Sequence, residues 1–516
     1  MQIPVEQDGR DEYLKAAAQQ LKISLSSIEL VKILNKALNA TNAEQFYYDL
    51  TLVVRTPDSF DNRGNLPHYT ETPAPAKKSK NSTSRPIIIG FGPAGMFAAL
   101  ELLEYGLKPL IFERGKKIQE RSIDVQRFIK EQVLDPESNI QFGEGGAGSY
   151  SDGKLFSRVK NSIYANKVLD TFIKFGAPEE IGYIRKPHVG TDVLCRIVSN
   201  IRRHILKQGG EIHYSSKMTD MLIADGKAVG VVINAEKEYL CSSLYLALGN
   251  SSRDTFELLH TKGITLEQKP ISVGLRVEHP AETINLMRYG NKYKDFAGIG
   301  AATYSLTHTN RRTRRGVYSF CMCPGGEVIN ASSENGLLVL NGMSYANRAS
   351  AFSNSAIIVT CHTDDYESSG PLAGIAFQKD IERKAFAASE GGWRAPAQNL
   401  PDFLSGRVSD HLNANSYKMG AVPIDMHKIL PACVCKPLKE AFTAWKEKYP
   451  LYVSEDGIVL GAETRTSCPV RIIRSENYES VSAKNLYPIG EGSGYTGGIT
   501  SSAIDAIKAV EAGFGN

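Results

Sequence analysis

The stretch Pro86-Ile87-Ile88-Ile89-Gly90-Phe91-Gly92-Pro93-Ala94-Gly95 decides the fold class. The isoleucine triplet reads as a short strand buried on both faces, and the residues after it fit the spacing G-x-G-x-x-G. Gly90 permits a tight turn, Gly92 lets a phosphate approach where a Cβ would stand, and Gly95 allows close packing of helix on strand. A helical pattern from Ala94 to Tyr105 and a second strand, Leu110-Ile111-Phe112, complete a β-α-β unit, hence a parallel pair with a right-handed crossover. The helix start, with Pro93 and Ala94, presents unpaired N–H groups and about half a positive charge to an anion. Glu113 ends the second strand, where a carboxylate can accept ribose hydroxyls, and Arg114 joins it in the candidate cofactor-binding set. The bland alternative for Glu113 is a strand-end acid paired with Arg114 or Lys116. Its charge argues against a 2′-phosphate in this pocket.

A second turn of the same type lies almost at the other end of the chain. Leu486-Tyr487-Pro488-Ile489-Gly490-Glu491-Gly492-Ser493-Gly494-Tyr495-Thr496-Gly497-Gly498-Ile499 reads as a strand, an acidic glycine-rich turn and then a small-residue helix over 501–511. Such a turn can set Gly490 and Glu491 against sugar or ribityl hydroxyls. The helix beginning around Gly497, Gly498 and Ile499 can point its positive end at a flavin's pyrimidine edge, where charge gathers on reduction. Two such turns, far apart in sequence, suit a long folded-back FAD better than NAD.

Composition bounds the rest. The chain has 516 residues, enough for about three domains or one large α/β unit with an insertion. Lys and Arg number 60 against 56 Asp and Glu, and the resulting +4 is too weak a field to imply nucleic acid or an anionic membrane as the main partner. No run approaches the roughly 18 apolar residues of a membrane span, and Met1 to Asp8 lacks a secretory pattern, so a cytoplasmic location is expected. The expected architecture is α/β: a small α+β appendage at 1–70 with a helix over 13–21 and a strand over 46–54, then a Pro/Lys/Ser-rich linker at 71–84. A Rossmann-type FAD-binding domain at 85–266 and 481–516 follows, interrupted by a mixed α+β substrate domain at 267–480.

The segment Asn139-Ile140-Gln141-Phe142-Gly143-Glu144-Gly145-Gly146-Ala147-Gly148-Ser149-Tyr150-Ser151-Asp152-Gly153-Lys154-Leu155, Phe320-Cys321-Met322-Cys323-Pro324-Gly325-Gly326 and the two turns above resemble one family of proteins. It is the bacterial FAD-dependent dehydrogenase family of the NAD(FAD)-utilizing type, within the glutathione-reductase-like flavoproteins with two glycine motifs. The resemblance implies fold and FAD. It also implies that the 143–154 loop lies along the flavin, so that backbone N–H groups of Gly145, Gly146 and Gly148 contact the cofactor and Lys154 stabilises the reduced flavin or a substrate carboxylate. Departures from the wider pattern are Glu491 where Asp is common and Ser149-Tyr150 where Thr-Phe is frequent.

His188, in Lys186-Pro187-His188-Val189-Gly190-Thr191-Asp192, is a candidate proton donor ahead of a helix capped by Thr191 or Asp192. Cys321 and Cys323 stand i and i+2 on an expected strand with both thiols on one face, and Cys433-Val434-Cys435 repeats the spacing. The spacing does not suit structural zinc, so no metal site is expected. The basic cluster Arg311-Arg312-Thr313-Arg314-Arg315 reads as a solvated loop. The expectation is an FAD-dependent oxidoreductase that moves a hydride between a small-molecule substrate and flavin N5, is reoxidised by a second acceptor, and uses NAD(P)H at most transiently. The alternatives are a flavin-dependent RNA-modifying or RNA-binding protein and an NAD-dependent dehydrogenase without flavin.

Overall fold

The computed structural model describes residues 1–62, 64–70, 85–155 and 163–514; the expected linker at 71–84 lies outside the described residues. At the N-terminus the helix Arg10–Leu21 accompanies a three-stranded antiparallel sheet in the order Gln2–Pro4, Tyr47–Arg55, Glu29–Asn39. The helix and the Tyr47 strand fall where their apolar patterns put them. Strand Glu29–Asn39 does not announce itself, because two irregularities in its pairing put its buried residues, Leu30 and Ala37, out of the two-residue alternation.

The parallel sheet runs Leu486–Pro488, Leu244–Leu246, Ile87–Ile89, Leu110–Phe112, Glu211–His213. Its strands alternate between two layers. Ile88, Ile111 and Tyr245 face a cluster with Phe97, Leu102, Ile197, Ile201, Ala506 and Ile507 from helices Pro93–Glu104, Thr191–Lys207 and Ile499–Phe514. Ile87, Ile89, Leu110, Phe112, Leu244 and Leu246 face the other way, toward Met221, Val231 and Phe256. That second layer is a three-stranded antiparallel sheet, Met218–Ala224, Lys227–Ile233 and Lys237–Leu240, with helix Arg253–Thr261. Its hairpins turn at Asp225-Gly226 and Asn234-Ala235, all four at positive φ, a conformation that Gly, Asn and Asp adopt most readily.

A seven-stranded sheet fills much of the chain between Ile271 and Glu463. Its order is Thr307–Thr309, Gly316–Cys323, Phe352–Cys361, Ile271–Pro280, Ile458–Glu463, Ala395–Asn399, Ala421–Pro423, antiparallel except for the last pair. Strand Ile271–Pro280 is buried along nearly its whole length, including Arg276, Glu278 and His279. This sheet's layer is fastened to the parallel sheet's layer by charge. Glu382, on helix Ala373–Ala388, accepts two hydrogen bonds of 2.8 Å from Arg253 and two of 3.0 and 3.2 Å from Arg465, all in the interior.

Three local details bear on the sequence reading. Cys433 and Cys435, which share only the spacing of the first pair, lie at the start of helix Ala432–Lys448, so their side chains diverge. The pairing of strand Gly316–Cys323 slips between Phe320 and Cys323, and Cys321 has φ +43°, yet the Cys321 and Cys323 thiols still lie against each other, on the side of Lys154. Helix Thr191–Lys207 begins after Gly190 without a side-chain cap. Thr191 instead donates to the Ser151 carbonyl at 3.0 Å, and Asp192 accepts from the Ala346 N–H at 2.9 Å.

Candidate functional site

Strand Leu244–Leu246 lies between Ile87–Ile89 and Leu486–Pro488, with Leu246 in register with both Ile89 and Pro488. Three strands of one polarity end together, so the turns at Gly90 and Gly490 leave the sheet at the same edge. A Cβ on Gly90, which has φ +97°, would stand 2.4 Å from the Ala247 carbonyl oxygen, and one on Gly95 would stand 2.0 Å from the Gly90 oxygen. Both glycines are fixed by the protein's own packing. Gly92 is different. Its φ is −80°, and the nearest atom to an added Cβ is the Gly146 Cα at 3.6 Å, an ordinary contact.

The remote turns touch. A Cβ on Gly490 would come within 2.6 Å of the Ala94 Cβ, and one on Gly148 within 3.3 Å of Ile499 Cγ1 and 3.6 Å of Pro93 Cγ. Residues from three segments of the chain thus meet at the starts of helices Pro93–Glu104 and Ile499–Phe514. Gly497 and Gly498 flank this point and are exposed, with no atom within 4 Å of a Cβ on Gly497. Gly494 turns away and packs on Val470 and Arg471.

Buried ions shape the connecting loop. Glu113 accepts from the N–H groups of Phe91 at 2.7 Å, Gly115 at 2.9 Å and Gly143 at 3.0 Å. A carboxylate has about four acceptor positions, so roughly one is left for a ligand. Arg114 does not reach into the cradle: it pairs with Glu137 at 2.6 Å and with both oxygens of Asp254 at 3.0 Å, and lies over the Phe142 ring. Arg121, fully buried, donates to the carbonyls of Asn139, Ile140, Gly143, Glu144 and Gly146 at 2.7 to 3.3 Å. Glu144 accepts from the Ile118 N–H, Arg202 and Tyr214. The N–H groups of Gly145 and Gly146 are already given to the carbonyls of Phe91 and Gly143, each at 2.9 Å. The N–H groups of Ala147 and Gly148 open the short turn Ala147–Tyr150 and are not used by it.

Lys154 and His188 are cross-strand neighbours through a backbone bridge. The Lys154 ammonium lies 2.8 Å from Asp152 and donates to the Met322 carbonyl, which brings the Phe320–Gly326 segment to the glycine loop. Burial works to lower the Lys154 pKa, but the Cys323 and Cys321 sulfurs and Asp152 outweigh it and hold the ammonium above its ordinary range. Asp152 also receives Arg348 and the Ser344 hydroxyl. His188 is pushed down to about 4 by burial and by the Arg348 guanidinium, so it is a neutral imidazole at pH 7. Among the described residues, the buried Nδ1 of His188 and Oγ of Ser149 have no hydrogen-bond partner. On the other side of Cys321, Arg276 makes a bidentate pair with Glu463 at 2.6 and 3.0 Å and donates to the Cys321 carbonyl at 2.9 Å. Glu491 accepts from Asn250 at 3.1 Å, and burial pushes its carboxyl up to about 7.

Sequence reasoning missed Arg121, Arg276, Asp152 and Arg348. Two of them carried a signal. Arg121 shares a helix face with Ile118, Val125 and Phe128, and Arg276 interrupts the apolar run from Ile271 to Val277, both places where an apolar residue belongs.

Comparison with known proteins adds the class. Residues 270–466 match the family described as FAD-dependent protein, C-terminal domain-like. An uncharacterized protein of Clostridium beijerinckii is 46% identical over 430 residues, covering 83% of this chain and 80% of that one, and the chain belongs to its family. Thiamine thiazole synthase of Pyrococcus horikoshii is 26% identical over 148 residues, 28% of this chain and 45% of that protein. Among solved structures, the glycerol-3-phosphate dehydrogenase of Bacillus halodurans complexed with FAD aligns at 11% identity and TM-score 0.37, over 85% of this chain and 66% of that one. A flavin-dependent brominase aligns at 14% identity and TM-score 0.36, over 83% of this chain and 77% of that one.

The Glu491 pKa has a measurable sign. A carboxyl raised to about 7 in the folded protein, from 4.5 when unfolded, holds a proton that unfolding releases. Its contribution is fully present below pH 4.5 and is lost as pH rises to about 7. Urea unfolding of the FAD-free protein should show wild type losing stability relative to Glu491→Gln between pH 5 and pH 8. A difference between the two that stays flat with pH would show that Glu491 is an ordinary ionised acid.

Proposed function

We propose that the chain is an FAD-dependent oxidoreductase that moves a hydride between a small-molecule substrate and the flavin, with a second acceptor for reoxidation. The observation that carries this reading is the meeting of the Gly90–Gly95 turn, Gly148 and the Gly490–Ile499 turn at two helix starts. The residues present fit the group. Gly92 leaves the approach open where nothing in the fold demands glycine, Gly92 gives its helix no side-chain cap, and Ser149 and His188 hold buried polar atoms without partners. Bound FAD would supply the two-electron chemistry.

In this reading the cofactor is held by 85–266 together with 481–516, and residues 267–480 supply the substrate side. Helix N–H groups of Ala94 and Gly95, just after Pro93, take the pyrophosphate, the open acceptor of Glu113 takes a ribose hydroxyl, and Glu491 with Asn250 takes ribityl hydroxyls. Helix Ile499–Phe514, preceded by Gly497 and Gly498, lays its positive end on the ring system. Lys154 stays protonated and offers positive charge to a developing anion, while Asp152 fixes its position. His188, neutral at pH 7, holds or accepts a proton at its free Nδ1. Arg114 and Gly145 and Gly146 act through the cradle's shape, since their polar groups are committed to the protein. NAD(P)H, if used, binds transiently over the flavin.

Two experiments check this. Gly92→Val should yield soluble protein with the wild-type far-UV spectrum and no bound FAD, whereas Gly95→Val should fail to fold because its side chain meets a backbone oxygen. Stoichiometric FAD retained in Gly92→Val would overturn the cradle. Lys154→Met should retain FAD and lower the flavin midpoint potential by about 30 mV or more, the equivalent of about 1.4 kcal/mol for two electrons. An unchanged potential would remove Lys154 from the flavin's surroundings.

A further inference from the structure

Cys361 ends the buried strand Phe352–Cys361, and Cys433 stands in the first turn of helix Ala432–Lys448. Their Sγ atoms and a carboxylate oxygen of Asp365 lie within 4.8 Å of one another. Cys361 is fully buried and Cys433 partly exposed. The acid is not free to complete a metal site. Arg315 takes both Asp365 oxygens, at 2.7 and 2.9 Å, and the His362 N–H adds a third bond at 2.7 Å, so a cation would face a guanidinium. What remains is two thiols in contact, one at a helix N-terminus with Arg315 close by. Helix N–H groups and a neighbouring guanidinium both favour a thiolate.

The pair is also asymmetric. The hydrogen bond from Cys361 holds the Cys433 thiol below its ordinary range; burial opposes this and Arg315 assists it. The same contact, with burial, pushes Cys361 up. One thiol is therefore reachable and easily ionised, and the other is hidden and protonated beside it. Cys435, next in sequence, takes no part: it is buried with Sγ 3.6 Å from the Leu430 carbonyl.

We propose that Cys433 and Cys361 form an oxidation site for hydroperoxides that ends in a disulfide between the strand and the helix. The Cys433 thiolate attacks the terminal peroxide oxygen, the O–O bond breaks, and the alcohol or water leaves after taking a proton from solvent. The resulting sulfenic acid is attacked by the Cys361 sulfur, whose proton departs with the hydroxyl as water when the S–S bond forms. Two thiols are oxidised by two electrons and one peroxide is reduced to an alcohol, or to water, and a further water. This site is independent of the flavin reading.

The test uses the full-length protein, reduced, desalted and treated with a modest excess of hydrogen peroxide. Non-reducing peptide mapping should find Cys361 joined to Cys433, with titratable thiols in the denatured protein falling from eight to six. Cys361→Ser should lose the cross-link and leave Cys433 trapped by dimedone as a sulfenic acid. Cys433→Ser, at a more exposed position, should lose both the cross-link and the dimedone adduct, and Cys435→Ser should keep the cross-link. Eight thiols remaining after peroxide, a map joining Cys433 to Cys435, or thiols protected by a stoichiometric zinc ion would overturn the proposal.

Discussion

Everything in the candidate site depends on the pairing of strand Leu244–Leu246 with a parallel neighbour on each side. Parallel hydrogen bonding gives all three strands one polarity, so the turns after Ile89 and Pro488 emerge at one edge although about 400 residues separate them. Each turn leads into a helix, and the two helices begin side by side with their N–H groups pointing the same way. The tightness of this meeting explains why Gly490 cannot carry a side chain, while Gly90 and Gly95 are held by the neighbouring strand and by the first turn itself. Gly92 escapes that explanation, and the exception points to a ligand.

The second theme is buried charge used to shape backbone. Arg121 gathers five carbonyls, Glu113 gathers three N–H groups, and between them they set the path of the 139–146 loop. Arg276 with Glu463, and Asp152 with Arg348 and Lys154, do the same where the seven-stranded sheet approaches that loop. Arg121, Glu113, Arg276 and Asp152 are each satisfied by several partners, the condition under which burying an ion is tolerable. Removing one member would leave its partner charged and unpaired, so these networks hold a particular geometry more than they add stability.

Strands Ile87–Ile89 and Leu110–Phe112 were legible because they are short apolar runs next to glycine turns, and a strand buried on both faces needs no alternation to be seen. Strand Glu29–Asn39 was hidden by its irregular pairing, and the slip at Cys321 by the same cause, since a displaced residue erases the period that sequence reading relies on. The Cys433–Cys361 contact was hidden for a different reason. Spacing shows which thiols are neighbours in the chain, whereas the contact that formed joins Cys433 to Cys361 on another element. Glu113 and Arg114 were placed correctly on the strand end, but their partners could be known only from the fold.

The central claim is that one elongated flavin dinucleotide is gripped by both glycine turns at once. Hydrogen–deuterium exchange of the FAD-free protein with and without added FAD tests it directly, peptide by peptide. Protection should appear together, at the same FAD concentration, in peptides spanning 90–96 and 490–500. Protection confined to one of the two segments, or to neither, would contradict the account.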